Sequence, residues 1–104
     1  TVKVRGSGSF GRKNADIITN FDPSSQRLEI DVQSFGAESD ANFAISRSKK
    51  WKKTARRDAD FVYHQRSGRL YFNANGSNKN WGAGGLFAVL EGNPVLTSEI
   101  VDIT

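Results

Sequence analysis

The chain has 104 residues, 37% hydrophobic and 25% charged, with 2 prolines and neither cysteine nor methionine. That length supports a single domain with one modest core, burying roughly 60–70% of the unfolded surface. No apolar run approaches the ~20 residues of a transmembrane helix, no leader segment is visible, and the lack of cysteine excludes disulfides, thiol catalysis, thiolate zinc sites and iron–sulfur clusters. With no Met at position 1 or elsewhere, the expectation is a processed product or an excised fragment.

The formal net charge is +4. It is concentrated in RSKKWKKTARR, residues 47–57, which holds Arg47, Lys49, Lys50, Lys52, Lys53, Arg56 and Arg57 and no acid. The rest of the chain is mildly acidic, so one basic segment sets the high isoelectric point.

In chain order, Val2 and Val4 alternate with polar neighbours and predict a strand. SGSFGRKNAD reads as a Gly-rich loop, followed by an apolar group at Ile17, Ile18 and Phe21. Asp22-Pro23-Ser24-Ser25 predicts a turn. Leu28, Ile30 and Val32 alternate with Glu29 and Asp31, the period of a half-buried strand. Residues 36–42 read as a loop with room for a short helical turn, and Phe43 and Ile45 alternate again.

The clearest unit is DFVYHQRSGRLYFN, residues 60–73. Phe61, Val62 and Tyr63 are expected to face Leu70, Tyr71 and Phe72 across a turn that Gly68 closes with a positive φ. NANGSNKNWGAGG, residues 73–85, is a polar Gly/Asn loop containing Trp81. Leu86 to Leu90 is an apolar run too short for a helix, and Thr97 and Ser98 suit a single helical turn before Ile100, Val101 and Ile103. The expected fold is mainly β, a small β-sandwich or β-roll-capping domain with hairpins and at most one or two short helical turns.

GRKNADIIT, residues 11–19, aligns with the calcium β-roll nonapeptide G-G-x-G-x-D-x-U-x. Gly11 takes the first glycine position, Asn14 the third, Asp16 the aspartate and Ile18 the large apolar position, while Arg12 replaces the second glycine. NADIITNFDPSSQRLEIDVQSF resembles the strand–turn–strand that follows the last repeat in RTX (hemolysin-type, serralysin-like) secreted proteins. ADFVYHQRSGRLYFNANG resembles a hairpin of their C-terminal flanking regions, and LFAVLEGNPVLTSEIVDI resembles their ending. The resemblance spans about residues 8–103, as an ordered set of segments. The chain departs from the family at Asn20, His64, Asn73 and Asn75, where Asp is usual, and so offers calcium fewer charged oxygens.

The resemblance implies a single domain over 1–104, with residues 1–20 a degenerate repeat and leading strand and 21–104 a flanking β domain. It implies a non-enzymatic C-terminal cap of an exported calcium-binding bacterial protein, extracellular or at the cell surface. The partners would be the preceding β-roll repeats of the parent chain. The calcium candidates are Gly11, Asn14, Asp16, Asn73 and Asn75, binding weakly or not at all in this chain alone, since one motif copy supplies half a site. For Asn73, Asn75 and Gly76 a loop with local side-chain-to-backbone bonds is the favoured account, since Asx turns explain those residues without metal.

The alternative function is a surface-binding module. Lys49, Lys50, Trp51, Lys52, Lys53, Arg56 and Arg57 combine charge with an aromatic face, which suits nucleic acid, polysaccharide or lipid head groups. The plainer account of such a run is a solvated loop. His64 has no second histidine to share a metal and is expected at an exposed, idle hairpin tip. Asp58 and Asp60 are expected to open the hairpin. No nucleophile elbow, P-loop or dinucleotide fingerprint occurs, and no enzyme activity is expected. The oligomeric state is left open.

Overall fold

The alternation of apolar and charged residues in Leu28–Asp31 can satisfy its backbone only in a sheet with one buried face. That is where the structure puts it. The computed structural model describes residues 2–6, 10, 11, 13, 15–36, 42–46, 60–73 and 84–103, apart from the side chains of Ser46 and Ser98. Its strands are β1 (Val2–Arg5), β2 (Asp16–Ile18), β3 (Leu28–Asp31), β4 (Phe43–Ser46), β5 (Phe61–His64), β6 (Arg69–Phe72), β7 (Gly85–Leu90) and β8 (Val101–Ile103). They form two sheets, ordered β1-β3-β8 and β2-β7-β6-β5-β4. The domain is mainly β, as expected.

One core lies between the sheets. Val4, Leu28, Ile30 and Val101 enter it from the three-stranded sheet, and Phe61, Tyr63, Leu70, Phe72, Phe87 and Leu90 from the five-stranded sheet. Phe10, Phe35, Phe61, Phe72 and Phe87 meet at one end of it. Phe35 stands 4.7 Å from Phe87, 5.1 Å from Phe61 and 5.3 Å from Phe72, centroid to centroid. The other face of the five-stranded sheet carries a second buried group, Val62, Tyr71 and Leu86, flanked by Ala15, Ala44 and Val89. Leu86 to Leu90 is therefore a strand buried on both faces. A bulge opposite Leu70/Tyr71 lets both Phe87 and Ala88 contribute to the inner core.

The hairpin forms as the sequence predicts. Phe61 pairs with Phe72, Val62 with Tyr71 and Tyr63 with Leu70, and Gly68 closes the turn at φ 70°. The turn at Asp22 forms too. Its carboxylate accepts from the Ser24 amide at 3.0 Å, the Ser24 hydroxyl at 2.6 Å and the Ser25 hydroxyl at 2.9 Å. Those bonds hold its carboxyl below the ordinary value.

Two details differ from the sequence reading. Val32 does not extend β3. It opens a 3-10 turn, Val32–Phe35, and is buried there. The turn ends at Gly36 with φ 75°, and residues 37–41, where the sequence left room for a short helical turn, lie outside the described residues. The anticipated turn near the C-terminus, Ser98–Ile100, is present, with Thr97 at its N-cap but no side-chain cap bond. The Ile100 amide instead donates to the Thr97 carbonyl at 3.2 Å.

Tyr63 is fully buried, and its hydroxyl donates to the Pro94 carbonyl at 2.7 Å. Burial pushes its phenol from 10.0 up to about 12. A raised folded value means that the unfolded chain ionises first. The stabilisation is thus complete below the ordinary value and is lost as pH climbs from about 10 towards 12. Tyr63→Phe is expected to flatten this alkaline fall while costing about 1 kcal/mol at neutral pH through the lost hydrogen bond. Urea titrations from pH 7 to 12 on both proteins check this. An unchanged alkaline slope in the variant would place the sensitivity elsewhere.

Candidate functional site

Strand direction is the most informative feature of the fold. β1 pairs with β3, β3 with β8, and β2 with β7, and all three pairings are parallel. Parallel neighbours cannot be joined by a tight turn. Here the chain solves this by alternating between the sheets. It runs along β1 in one sheet, β2 in the other, then β3 beside β1. Later β7 lies beside β2 and β8 beside β3. This is the path of a two-sheeted parallel coil, with β4, β5 and β6 inserted between β3 and β7.

The two ends of the coil differ. At the first coil, β1 and β2 are both edge strands. The Val2 amide donates to the Arg27 carbonyl at 2.8 Å, and the Ile18 carbonyl accepts the Glu91 amide at 3.0 Å. Because a ladder alternates, the backbone groups of Lys3, Arg5 and Ile17 are turned to the open side. Ile17 is 56% exposed, beside its register partner Val89. At the other end, the five-stranded sheet runs three strands past β7, through an antiparallel hairpin. The three-stranded sheet stops at β8. Among the described residues no strand pairs with the outer edge of β8.

The outer face of the three-stranded sheet is a charge ladder. Lys3 Nζ lies 3.8 Å from Glu29 Oε2, and Arg5 Nε lies 3.8 Å from Asp31 Oδ2. Arg27 grips Asp102 with two bonds, 2.8 Å and 2.6 Å. The Arg27 guanidinium holds the Asp102 carboxyl below its ordinary value.

The calcium candidates are only partly within view. Gly11, at φ 110°, donates its amide to the Leu86 carbonyl at 2.9 Å, and its own carbonyl accepts the Ala15 amide at 3.0 Å. Asp16 opens β2 and is exposed, and Ile18 two residues later packs against the core. The motif's Asp-x-apolar triplet is thus a short parallel strand on the open edge. Asn73 is buried at the far end of β6, its amide donating to the Asp60 carbonyl at 2.8 Å. From strand spacing and rise, the Cα atoms of Asp16 and Asn73 are on the order of 14 Å apart, so they do not share one ion. Asn14 and Asn75 lie outside the described residues. Among the described residues no three His, Asp or Glu side chains converge.

The basic candidates Lys49, Lys50, Trp51, Lys52, Lys53, Arg56 and Arg57, with Arg47 and Trp81, also lie outside the described residues. The topology nevertheless fixes what the segment joins. β4 and β5 are parallel neighbours, Phe43 beside Phe61 and Ser46 beside His64. The chain between Ser46 and Asp60 is therefore the crossover this pairing requires. It departs beside His64, whose partner across the hairpin is Arg69. His64 is half-buried rather than at an exposed tip, with Nδ1 2.7 Å from Ser67 Oγ. Asp60 begins the hairpin and accepts the Asn42 amide at 3.0 Å. Asp58 lies outside the described residues.

Residue patterning gave no strand directions, and only the resemblance of residues 11–19 to a parallel β-roll repeat implied parallel pairing. Its signal was present in the three-residue stretch Asp16–Ile18, too short to declare a direction without its neighbours. No helix among the described residues is long and apolar enough to cross a membrane. Comparisons with protein-family models, curated proteins and solved structures return no match for this chain.

Proposed function

We propose that this domain is a non-enzymatic end cap for a parallel β-roll, stacking on preceding coils of its parent polypeptide. The observation that carries this reading is the pair of open parallel edges on the first coil, β1 and β2, opposed by a far side where the five-stranded sheet turns antiparallel through β6 and β5. Repeat stacks need atypical terminal units because the last coil otherwise exposes unpaired backbone and an apolar interior. The exposed Ile17 at the β2 edge fits a surface completed by a neighbouring coil.

The same reading gives Asp16 a role. Its carboxylate lies on the open edge, where an upstream turn would supply the remaining oxygens of a calcium site. It also places the parent protein outside a bacterial cell, where calcium is abundant enough to drive roll formation. Deleting residues 1–104 from the parent is expected to weaken calcium-induced folding of the remaining repeats and lower export. Circular dichroism during calcium titration, with secretion assayed in parallel, checks this. Unchanged folding and export would sink the capping role.

A second reading, contact with an acidic polymer, draws on the seven cations of residues 47–57 in the sequence, together with Arg66, exposed in the hairpin turn. Heparin affinity is then expected to fall steeply between 50 and 200 mM salt, at about one counterion per neutralised contact. It should drop further when Lys49, Lys50, Lys52 and Lys53 are changed to Gln. Retention unaffected by those changes would remove this reading.

A further inference from the structure

The open edge of β1 has a chemical polarity that specifies its neighbour. Val4 is buried and Val2 packs against the core, so alternate positions of β1 face the sandwich interior. Lys3 and Arg5 occupy the outer face, with side chains 44% and 68% exposed. Their acidic partners, Glu29 and Asp31, sit directly across in register on the inner neighbour β3. Glu29 has Asp102 as its next partner, on β8. Crossing the sheet from the open edge, the outer face is therefore positive on β1, negative on β3 and negative on β8, where Arg27 neutralises Asp102. The two pairs on β1 are charge contacts at 3.8 Å, too long for hydrogen bonds, whereas Arg27 holds Asp102 in a closed two-bond grip. The cations at the open edge thus retain capacity for a second carboxylate.

We propose that the β1 edge accepts an extended parallel strand whose outward side chains are acidic at the two positions beside Lys3 and Arg5, and whose inward side chains are apolar beside Val2 and Val4. The inference rests on the capping reading and names the chemistry of the coil that stacks there. Opposite charges directly across adjacent strands stabilise the pairing and like charges oppose it. A neighbour bearing Lys or Arg at those positions would place four cations on two adjacent strands, with no acid on its own far side. The acidic neighbour extends the alternation that β1 and β3 begin. The same charge rule sets the register, because a one-residue slip would turn its acids into the core.

The test tethers a strand to the N-terminus of the full 104-residue chain. One version carries Val-Glu-Val-Glu-Val and the other Val-Lys-Val-Lys-Val. Each is joined by a ten-residue Gly/Ser linker, whose reach of roughly 17 Å lets the strand fold back parallel to β1. Amide hydrogen exchange is read at Lys3 and Arg5, the N–H groups turned to the open side. The acidic strand is expected to slow their exchange on the order of tenfold more than the basic strand, with the difference shrinking in 1 M salt. Changing both Lys3 and Arg5 to Thr, which keeps strand propensity, is expected to erase the difference. Equal protection by both strands would overturn the charge selection and leave the capping edge standing. No protection by either would overturn both.

Discussion

Gly68→Ala is expected to destabilise the domain by at least about 3 kcal/mol, whereas Gly36→Ala costs only about 1 kcal/mol. Both glycines sit in the left-handed region, at φ 70° and 75°. An L-residue there carries the same backbone penalty at either site, of roughly 1–2 kcal/mol. The surroundings separate them. A Cβ on Gly36 meets nothing within 4 Å. A Cβ on Gly68 would stand 2.3 Å from the Leu90 carbonyl oxygen and 2.8 Å from Asn93 Oδ1. Leu90 cannot retreat cheaply, since its amide donates to the Gly68 carbonyl at 2.7 Å and its side chain is fully buried. Asn93 is also engaged, its Nδ2 donating to the Arg66 carbonyl at 2.8 Å. Urea unfolding of the two variants isolates the collision, because their φ penalties cancel. Equal losses would mean that the end of β7 yields to the hairpin turn.

This contact shows why part of the fold was legible in the sequence and part was not. The positive φ at Gly68 follows from local chemistry, since a hairpin between two aromatic runs needs such a residue. The approach of Leu90 to the same glycine is a property of the third strand, and no local pattern announces it. The same division holds throughout. Leu28–Asp31 declared itself through alternation, Phe61–Phe72 through facing apolar runs about a turn glycine, and Asp22 through its turn chemistry. Val32 read as a strand residue because apolar periodicity cannot distinguish a final strand position from a buried 3-10 turn. Asp16–Ile18 matched the roll motif, yet its parallel pairing to Ala88–Leu90 spans most of the chain. The open edges are legible only once both sheets are assembled. The basic run was legible as charge, but its status as an obligatory crossover depends on the direction of β4 relative to β5.

Phe61→Ala is expected to cost about 3–5 kcal/mol, a third or more of the stability typical of a domain this size. Phe61 is fully buried and occupies the middle of the inserted strands. It pairs across the hairpin with Phe72 and lies beside Phe43 on the parallel side. Its ring meets Phe35 edge-on at 82° and 5.1 Å, Phe72 at 5.2 Å and Phe87 edge-on at 6.0 Å. These contacts join the inserted strands to β7, the strand that returns the chain to the coil, and to the 3-10 turn that follows β3. Truncation therefore leaves a cavity where the insertion meets the coil, and Phe35 loses an edge-to-face partner. In a cycle with Phe35→Ala, the two losses should fall short of additive by about 0.5–1.5 kcal/mol, the share of the ring pair itself. Phe61→Leu should recover part of the loss by refilling volume. Because none of these ring partners lies on β1 or β2, exchange at the Val2 and Val4 amides, which face β3, is expected to report only global unfolding in the variant, with no separate loosening of that pairing. A loss below about 1 kcal/mol for Phe61→Ala would mean that the closed end of the coil does not depend on the aromatic cluster.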